Sequence, residues 1–295
     1  MADFILSCCS TADLTAEQLD ARDIKVMPFH FTLGDTQYLD DLGKTIGYEE
    51  FYSRMEQGEM TMTSQPNAEE YIEHAEPYLK AGKDILHLTL SSGISGALNS
   101  ATIAAGRLRE MYPERKIIVV DSLSASSGYG LLMDKLADLR DEGMSIDELA
   151  VWAEENKLRV NHWLFSTDLT YFVRGGRVSP VSGFVGNALR ICPLLNVDFE
   201  GKLIPREKIR SKKKTMKRTV EVMLERADGG AAYDGKVFIA NAACPEDAEQ
   251  LAQLITKAMP KTKGKITINS IGTTIGSHTG PGTVALFFWG KKRED

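Results

Sequence analysis

The sequence predicts an α/β fold in two domains, and three observations carry that reading. Short apolar runs alternate with helical patterns through the first half, as strands layered against helices require. Three of those runs end in hydroxyls: residues 4–8 lead into Cys9-Ser10-Thr11, residues 85–90 into Ser91-Ser92-Gly93-Ile94-Ser95-Gly96, and residues 117–120 into Asp121-Ser122. Beyond Trp152 the texture changes to further strands and helices. The boundary is placed near residue 157, which gives domains 1–157 and 158–295.

In order, strands are expected at 4–8, 25–32, 85–90 and 117–121. Thr15-Ala16-Glu17-Gln18 and Ser145-Ile146-Asp147-Glu148 both fit the reciprocal cap in which a hydroxyl and an N3 side chain satisfy each other's backbone N–H. Leu33-Gly34-Asp35-Thr36 reads as a hairpin turn. Pro66-Asn67 should open a helix through Tyr71, Ile72 and Tyr78, and another helix should cover 97–111. In the second half, strands are expected at 159–167 and 194–197, followed by a turn at Glu200-Gly201-Lys202. Helices are expected at 181–189, 213–226 and 246–259, and a strand at 237–242. Strands at 265–271 and 283–289 should flank a glycine-rich loop.

Composition narrows the function. The 295 residues carry a net charge of −6, which argues against a general nucleic-acid binder. No signal peptide and no apolar run of membrane-spanning length is read, so the cytoplasm is the expected compartment and no stable membrane insertion is expected. Cys8 and Cys9 are adjacent while Cys192 and Cys244 stand apart, which matches neither a disulfide framework nor a zinc spacing. The basic run from Arg206 to Arg218 reads as a solvated face, with an acidic or phosphate-bearing partner as the alternative.

Candidate chemistry gathers where strands end. In an open parallel sheet those carboxyl ends lie together, and ligands bind in the crevice beside them. A single terminal Ser or Thr is as well read as a helix cap; three in a row point to a polar crevice. Glycines and helix-start N–H groups around Ser95 converge as they would on a carboxylate or phosphate. A second hydroxyl cluster, Thr61-Met62-Thr63-Ser64-Gln65-Pro66, reads as a loop, and with Ser95 it could supply neutral donors to one carboxylate. Arg174-Gly175-Gly176-Arg177 offers a guanidinium fork on a pliant turn. His278 lies in Gly276-Ser277-His278-Thr279-Gly280-Pro281-Gly282, where close backbone approach is expected. His30, His74, His87 and His162 are given no role.

Together these motifs resemble the DegV family of bacterial lipid-binding proteins across nearly the whole chain. The resemblance rests on Ser10-Thr11-Ala12-Asp13-Leu14, Thr63-Ser64-Gln65-Pro66, the Ser/Gly turn at 91–96, Asp121-Ser122, Arg174-Gly175-Gly176-Arg177 and His278-Thr279-Gly280-Pro281-Gly282. It implies a mostly parallel, Rossmann-like N-terminal sheet with helices on both faces and a C-terminal α/β domain. It also implies a long-chain fatty acid held between the domains. Its carboxyl group would be presented to a separate ATP-binding fatty acid kinase subunit, which makes an acyl phosphate. Carried over by motif, Thr63 and Ser95 would hydrogen-bond the carboxyl group. Arg174 and His278 would lie at the same mouth, with Ser64 and Ser92 as neighbours. No cofactor and no catalytic residue of the chain's own is implied, and no Gly-x-x-x-x-Gly-Lys-Ser/Thr loop supplies a nucleotide site. Two departures stand out: Cys9 where the family usually has Asp, beside the crevice, and Ala97 where Thr is common. Apolar candidates for the tail are Phe184, Val185, Leu189, Ile191, Leu194 and Leu195.

Two other readings compete. Gly93-Ile94-Ser95-Gly96-Ala97 is one residue short of a Gly-x-Ser-x-Gly elbow, and His278 follows late, as in a serine hydrolase. A hydroxyl-lined crevice would also suit a phosphosugar or dihydroxyacetone-kinase-like polyol binder.

Overall fold

A computed structural model describes residues 4–179 and 191–294 of the chain. Residues 4–121 contain seven strands in order: β1 (Phe4–Cys9), β2 (Ile24–Met27), β3 (His30–Leu33), β4 (Thr36–Leu39), β5 (Thr61–Ser64), β6 (Asp84–Thr89) and β7 (Ile117–Asp121). Four of them form a parallel sheet in the order β2-β1-β6-β7, with Leu6 opposite Ile24 and Leu86, and Leu86 opposite Ile118. Leu6, Cys8, Leu86 and Leu88 are fully buried, as strands covered on both faces demand.

The single strand expected at 25–32 is two strands in different sheets. Pro28, which lacks an N–H for a ladder, falls at the break. Beyond it, β3 joins a three-stranded antiparallel sheet in the order β4-β3-β5. The hairpin turn at 33–36 is as expected, with Leu33 opposite Thr36. The hydroxyl cluster expected as a loop is instead β5, an edge strand that sets Thr63 opposite Phe31.

The second half builds one six-stranded sheet from β8 (Val160–Phe165), β9 (Ile191–Val197), β10 (Leu203–Arg210), β11 (Val237–Asn241), β12 (Ile266–Ser270) and β13 (Val284–Trp289). Its order is β10-β9-β8-β13-β11-β12; only β11 and β12 pair in parallel. The basic run is shared between β10 and a helix, where Arg218 pairs with Glu207 and Glu225 and Lys212 with Asp247.

Ten helices are described: α1 (Ala16–Ala21), α2 (Tyr48–Glu56), α3 (Ala68–Lys80), α4 (Ala97–Met111), α5 (Ser126–Asp141), α6 (Ile146–Asn156), α7 (Thr170–Arg174), α8 (Lys212–Arg226), α9 (Pro245–Ala258) and α10 (Thr273–Thr279). Thr15 with Gln18 and Ser145 with Glu148 close the reciprocal caps read in the sequence, and Asn67 with Glu70 adds a third. The helix expected at 181–189 lies outside the described residues, as do Phe184, Val185 and Leu189. Two further corrections bear on the site. Arg174 ends a short helix, α7, rather than standing in an open loop. His278 belongs to α10, and the glycine-rich loop starts only at Gly280.

Sheet membership separates the halves, but packing joins them. One hydrophobic core runs from Leu6 and Leu88 through Tyr129 and Leu132 of α5 to Leu164, Leu195 and Phe287 of the six-stranded sheet. A second core, with Phe165, Met223, Ile255 and Phe288, fills the sheet's other side beneath α8 and α9. Leu194 and Leu195 are buried in these two cores. α10 crosses to the N-terminal half, where the Tyr52 hydroxyl donates to the Ile271 carbonyl at 2.7 Å. A second tie is the Ser/Gly turn after β6, where the Ser91 hydroxyl donates to the Gly201 carbonyl at 2.8 Å.

Candidate functional site

A cavity of about 530 Å³ lies where these elements converge. From the N-terminal half it is lined by Phe29, the strand β5, Leu90, the 94–96 turn and the start of α5. From the other half it is lined by β8, β9, β10, β13 and α10. Most of the wall is apolar, including Ile94, Leu164, Val197, Leu203, Ile275 and Phe287. Six of its polar side chains, Thr63, Ser64, Gln65, Ser95, Arg177 and His278, form one polar end, and Ser126, His162, Thr274, Thr279 and Thr283 also line the cavity.

Hydrogen bonds knit that polar end. Thr63 Oγ1 and His278 Nε2 are 2.7 Å apart. Ser95 donates to Gln65 Oε1 at 3.3 Å and accepts from the Ala97 N–H at 3.2 Å. Gln65 in turn donates to Ser100 at 3.1 Å. Arg177 reaches across from the turn after α7 and donates to the Ile94 carbonyl at 3.1 Å. Burial draws its guanidinium below the ordinary arginine value.

His278 is neutral here. Burial, with the Arg177 charge second, lowers its pKa from 6.5 to about 4. Nδ1 is buried and has no hydrogen-bond partner among the described residues, so the tautomer can be assigned. An unpaired acceptor is tolerated better than an unpaired N–H, which puts the proton on Nε2, donating to Thr63 Oγ1. Thr63 then keeps its own proton free to donate into the cavity. Gly175 is what lets His278 sit there: a Cβ on it would come within 2.3 Å of His278 Nδ1.

Of the residues singled out in the sequence, Thr63, Ser64, Ser95 and His278 come together on the cavity wall. Arg174 and Ser92 do not line it. The Arg174 guanidinium is exposed, lies 5.6 Å from the Tyr171 ring centroid and donates to Met60 Sδ. Ser92 is exposed, and its N–H is held by Asp121. The guanidinium on the wall belongs to Arg177, in the same motif; which of the two turns inward is decided by the chain's path through Gly175 and Gly176, a long-range matter. Gln65 and the apolar wall had no signal of their own in the sequence. His162 also lines the cavity, with Nδ1 held by the Val160 carbonyl.

The strand-end hydroxyls do not form the crevice expected of them. Ser10 bridges the Phe29 N–H and Asp40, Ser91 holds Gly201, and Ser122 holds the Ser124 carbonyl. They tie turns, and the hydroxyls of the polar end come from β5 and the later part of the Ser/Gly turn. Cys9 likewise turns away from the cavity. Its sulfur lies 3.4 Å from the Tyr71 hydroxyl and 3.7 Å from His87 Nε2, and burial pushes its thiol pKa up.

The geometry is poor for a serine hydrolase. Among the described residues the Ser95 hydroxyl bonds to Gln65 and Ala97, while His278 Nε2 is engaged by Thr63. A histidine with its pKa near 4 is also a weak general base at neutral pH. The apolar wall, in turn, offers a polyol few partners.

Fold and site thus define a class, a two-domain α/β protein with a largely apolar cavity lined from both halves. The chain belongs to the DegV family, whose sequence profile, described as uncharacterised, matches residues 9–291. It is 36% identical over 294 residues to a DegV domain-containing protein of Clostridium perfringens, covering 100% of each chain. The fold is similar to that of a fatty acid binding DegV family protein from Streptococcus agalactiae, with a TM-score of 0.84 at 27% identity over 99% of this chain and 100% of that one. It also matches the fatty acid kinase B3 protein of Streptococcus pneumoniae loaded with linoleic acid. There the TM-score is 0.84 at 22% identity, over 99% and 100% of the chains, which shows the shared fold. Among the described residues, no helix is long and apolar enough to cross a membrane.

Proposed function

We propose that this chain holds a long-chain fatty acid in the cavity, with its carboxyl group at Thr63 and Ser95, and presents that group to a separate ATP-binding kinase subunit in the cytoplasm. The observation that carries this is a largely apolar cavity with a hydrogen-bonded cluster of Thr63, Gln65, Ser95 and His278 on its wall. Tail and head are served by different physics. Each buried methylene contributes about 0.8 kcal/mol, so affinity comes from the tail, and a few donors need only orient the head. The Thr63 hydroxyl, freed by His278, and the Ser95 hydroxyl supply neutral donors to the carboxylate. Arg177 adds the positive charge that a carboxylate and a developing acyl phosphate both attract. Arg174 and Ser92, exposed on the surface, are placed to meet the partner rather than the tail, and Ser64 stays beside the head.

The chain is a carrier in this reading, and bond formation belongs to the partner. Related proteins that hold fatty acids, and the kinase-named relative among them, support the assignment. Native mass spectrometry of protein purified from cells tests it: a co-purified species of fatty-acid mass is expected. A bare protein that binds polyols instead would overturn it. Acyl-phosphate formation on adding an ATP-binding kinase subunit tests the second half.

A further inference from the structure

Two buried acids grip the helix that carries His278. Asp13, at the end of the turn after β1, and Asp40, just after β4, are 4% and 2% exposed. Asp13 accepts from the Ser126 hydroxyl through one oxygen and from the Gly272 N–H at 3.0 Å through the other. Asp40 Oδ2 accepts from the Ser10 hydroxyl at 3.1 Å and the Thr274 N–H at 3.4 Å. Gly272 and Thr274 are the N-cap and second residue of α10. Both carboxyls from the N-terminal half therefore sit at the positive end of a helix from the C-terminal half.

Among the described residues Asp40 Oδ1 accepts nothing. The Thr273 and Thr274 hydroxyls turn toward this carboxyl without reaching hydrogen-bond geometry. Asp13 Oδ1 and Asp40 Oδ1 flank one small space, 2.8 and 3.7 Å from where a Cβ on Gly272 would stand. Among the described residues no salt bridge reaches either acid. The backbone adds its own sign of a forced arrangement: Asp13 and Ser126, bonded to each other, both have left-handed φ values, 47° and 54°, a conformation that side chains rarely adopt without compensation.

We propose that Asp13 and Asp40 share one proton, carried on Asp40 Oδ1, and that this pair is a positioning device which holds the first turn of α10 so that His278 meets Thr63. Burial raises both carboxyls, Asp13 further than Asp40, and the Asp40 charge adds to the rise at Asp13. The hydrogen bonds nevertheless place the proton on Asp40, because both Asp13 oxygens already accept and Asp40 Oδ1 does not. Two buried carboxylates that face one small space and feel each other's charge cannot both ionise cheaply.

The other groups facing the pair leave that balance unchanged. Tyr48 and Tyr52 of α2 are raised by burial and stay neutral, as does Cys244, which faces Tyr52. Asp41 adds a negative charge, with its carboxylate bonded to the Lys44 and Thr45 N–H groups. At alkaline pH the Asp40 proton passes to solvent base, the pair repels, and the grip on α10 weakens.

Asp40→Asn separates the possibilities. An asparagine there keeps its oxygen for Ser10 and Thr274 and places its NH₂ where the proton was, so the pair stays locked at every pH. Infrared spectra at neutral pH are expected to show a protonated-carboxyl C=O stretch in the wild type that disappears in Asp40→Asn. Its persistence in that variant would put the proton elsewhere and overturn the assignment. Amide exchange at Gly272 and Thr274 is expected to accelerate about tenfold beyond base catalysis as the wild type is taken from neutral to alkaline pH, and to stay flat in Asp40→Asn. Equal acceleration in both proteins, or none in the wild type, would overturn the latch. Release of stearic acid should follow the same pattern, since this inference rests on the head-group reading above. If neither protein holds stearic acid, the fatty-acid reading fails while the exchange data still decide the latch.

Discussion

Thr63 Oγ1 and His278 Nε2 meet at 2.7 Å across 215 residues of chain, joining an edge strand of the N-terminal half to a helix of the C-terminal half. The contact sets the donor direction of a hydroxyl on the cavity wall.

Removing that hydroxyl should cost head-group contact and little else. Thr63→Ala or Ser95→Ala is expected to slow acyl-phosphate formation by about five- to tenfold, the worth of one neutral hydrogen bond of about 1 kcal/mol, with the fold kept and a modest loss of melting temperature in Thr63→Ala, where the His278 N–H loses its acceptor. Normal acyl-phosphate formation by both variants would dismiss these residues as carboxyl contacts.

His278→Ala should slow transfer more than it weakens binding, because the tail keeps its cavity while the Thr63 hydroxyl loses its partner. Equilibrium binding of stearic acid beside single-turnover acyl-phosphate rates separates the two. A large loss of affinity with normal turnover would reverse the assignment.

Gly175→Ala should reproduce that defect without touching the histidine. Its new methyl would stand 2.3 Å from His278 Nδ1, so the ring or the turn must move, at a cost of about 1–3 kcal/mol. Gly176→Ala, with φ +72° and open space around it, should lose about 1 kcal/mol of stability by backbone strain alone and leave transfer intact. Matching transfer rates in the two variants would show that close approach at Gly175 is unimportant.

Acid should destabilise the protein through its buried histidines. Burial lowers His278 and His74 from 6.5 to about 4 and His87 to about 3. Ser7 bridges the last two at 3.0 and 2.9 Å. The folded state prefers these rings neutral. Their contribution is therefore complete above the unfolded pKa near 6.5 and is lost as pH falls through that value toward 4 and then 3. At about 1.4 kcal/mol per pKa unit, His278 alone contributes about 3 kcal/mol over that window. Urea unfolding at stepped pH should show the loss, and His278→Gln should flatten its share. An identical slope in the variant would refute it.

The Ser91–Gly201 tie should behave as a single unit. Ser91→Ala removes a buried hydrogen bond and should cost about 1–3 kcal/mol. Gly201→Ala places a methyl 2.0 Å from Ser91 Oγ at φ +75° and should cost more. In the double variant the clash is gone, so its destabilisation should fall short of the sum. Strict additivity in denaturant titrations would mean that the two positions do not communicate.

Local chemistry made much of this fold readable. The Thr15 and Ser145 caps and the two-residue turn at Gly34 are settled by neighbours a few residues apart, and all three stand in the structure. α10 escaped notice because Thr-Thr-Ile-Gly-Ser-His-Thr is a weak helix former. It is helical because Tyr52, Asp13 and Asp40, more than 200 residues away, hold its start. β5 was read as a loop for a like reason: its ladder partner is β3, which is recognisable only once Pro28 has split the preceding apolar run. Thr63, Ser95 and His278 were legible as residues, whereas the arginine on the cavity wall depended on how a glycine pair turns the chain.

Because α10 belongs by sequence to the last tenth of the chain and by contact to the first half, the order of synthesis matters. A ribosome releases Asp13, Asp40 and Thr63 long before the helix they hold has been made. The N-terminal sheet can form early because its strand partners all lie within residues 4–121, but its exposed grip must wait for residues 272–279. Such distant closure is slow compared with local folding. A ribosome stalled before residue 272 would therefore display a folded sheet with no head-group clamp, and competence to carry cargo would arrive only with the final strand.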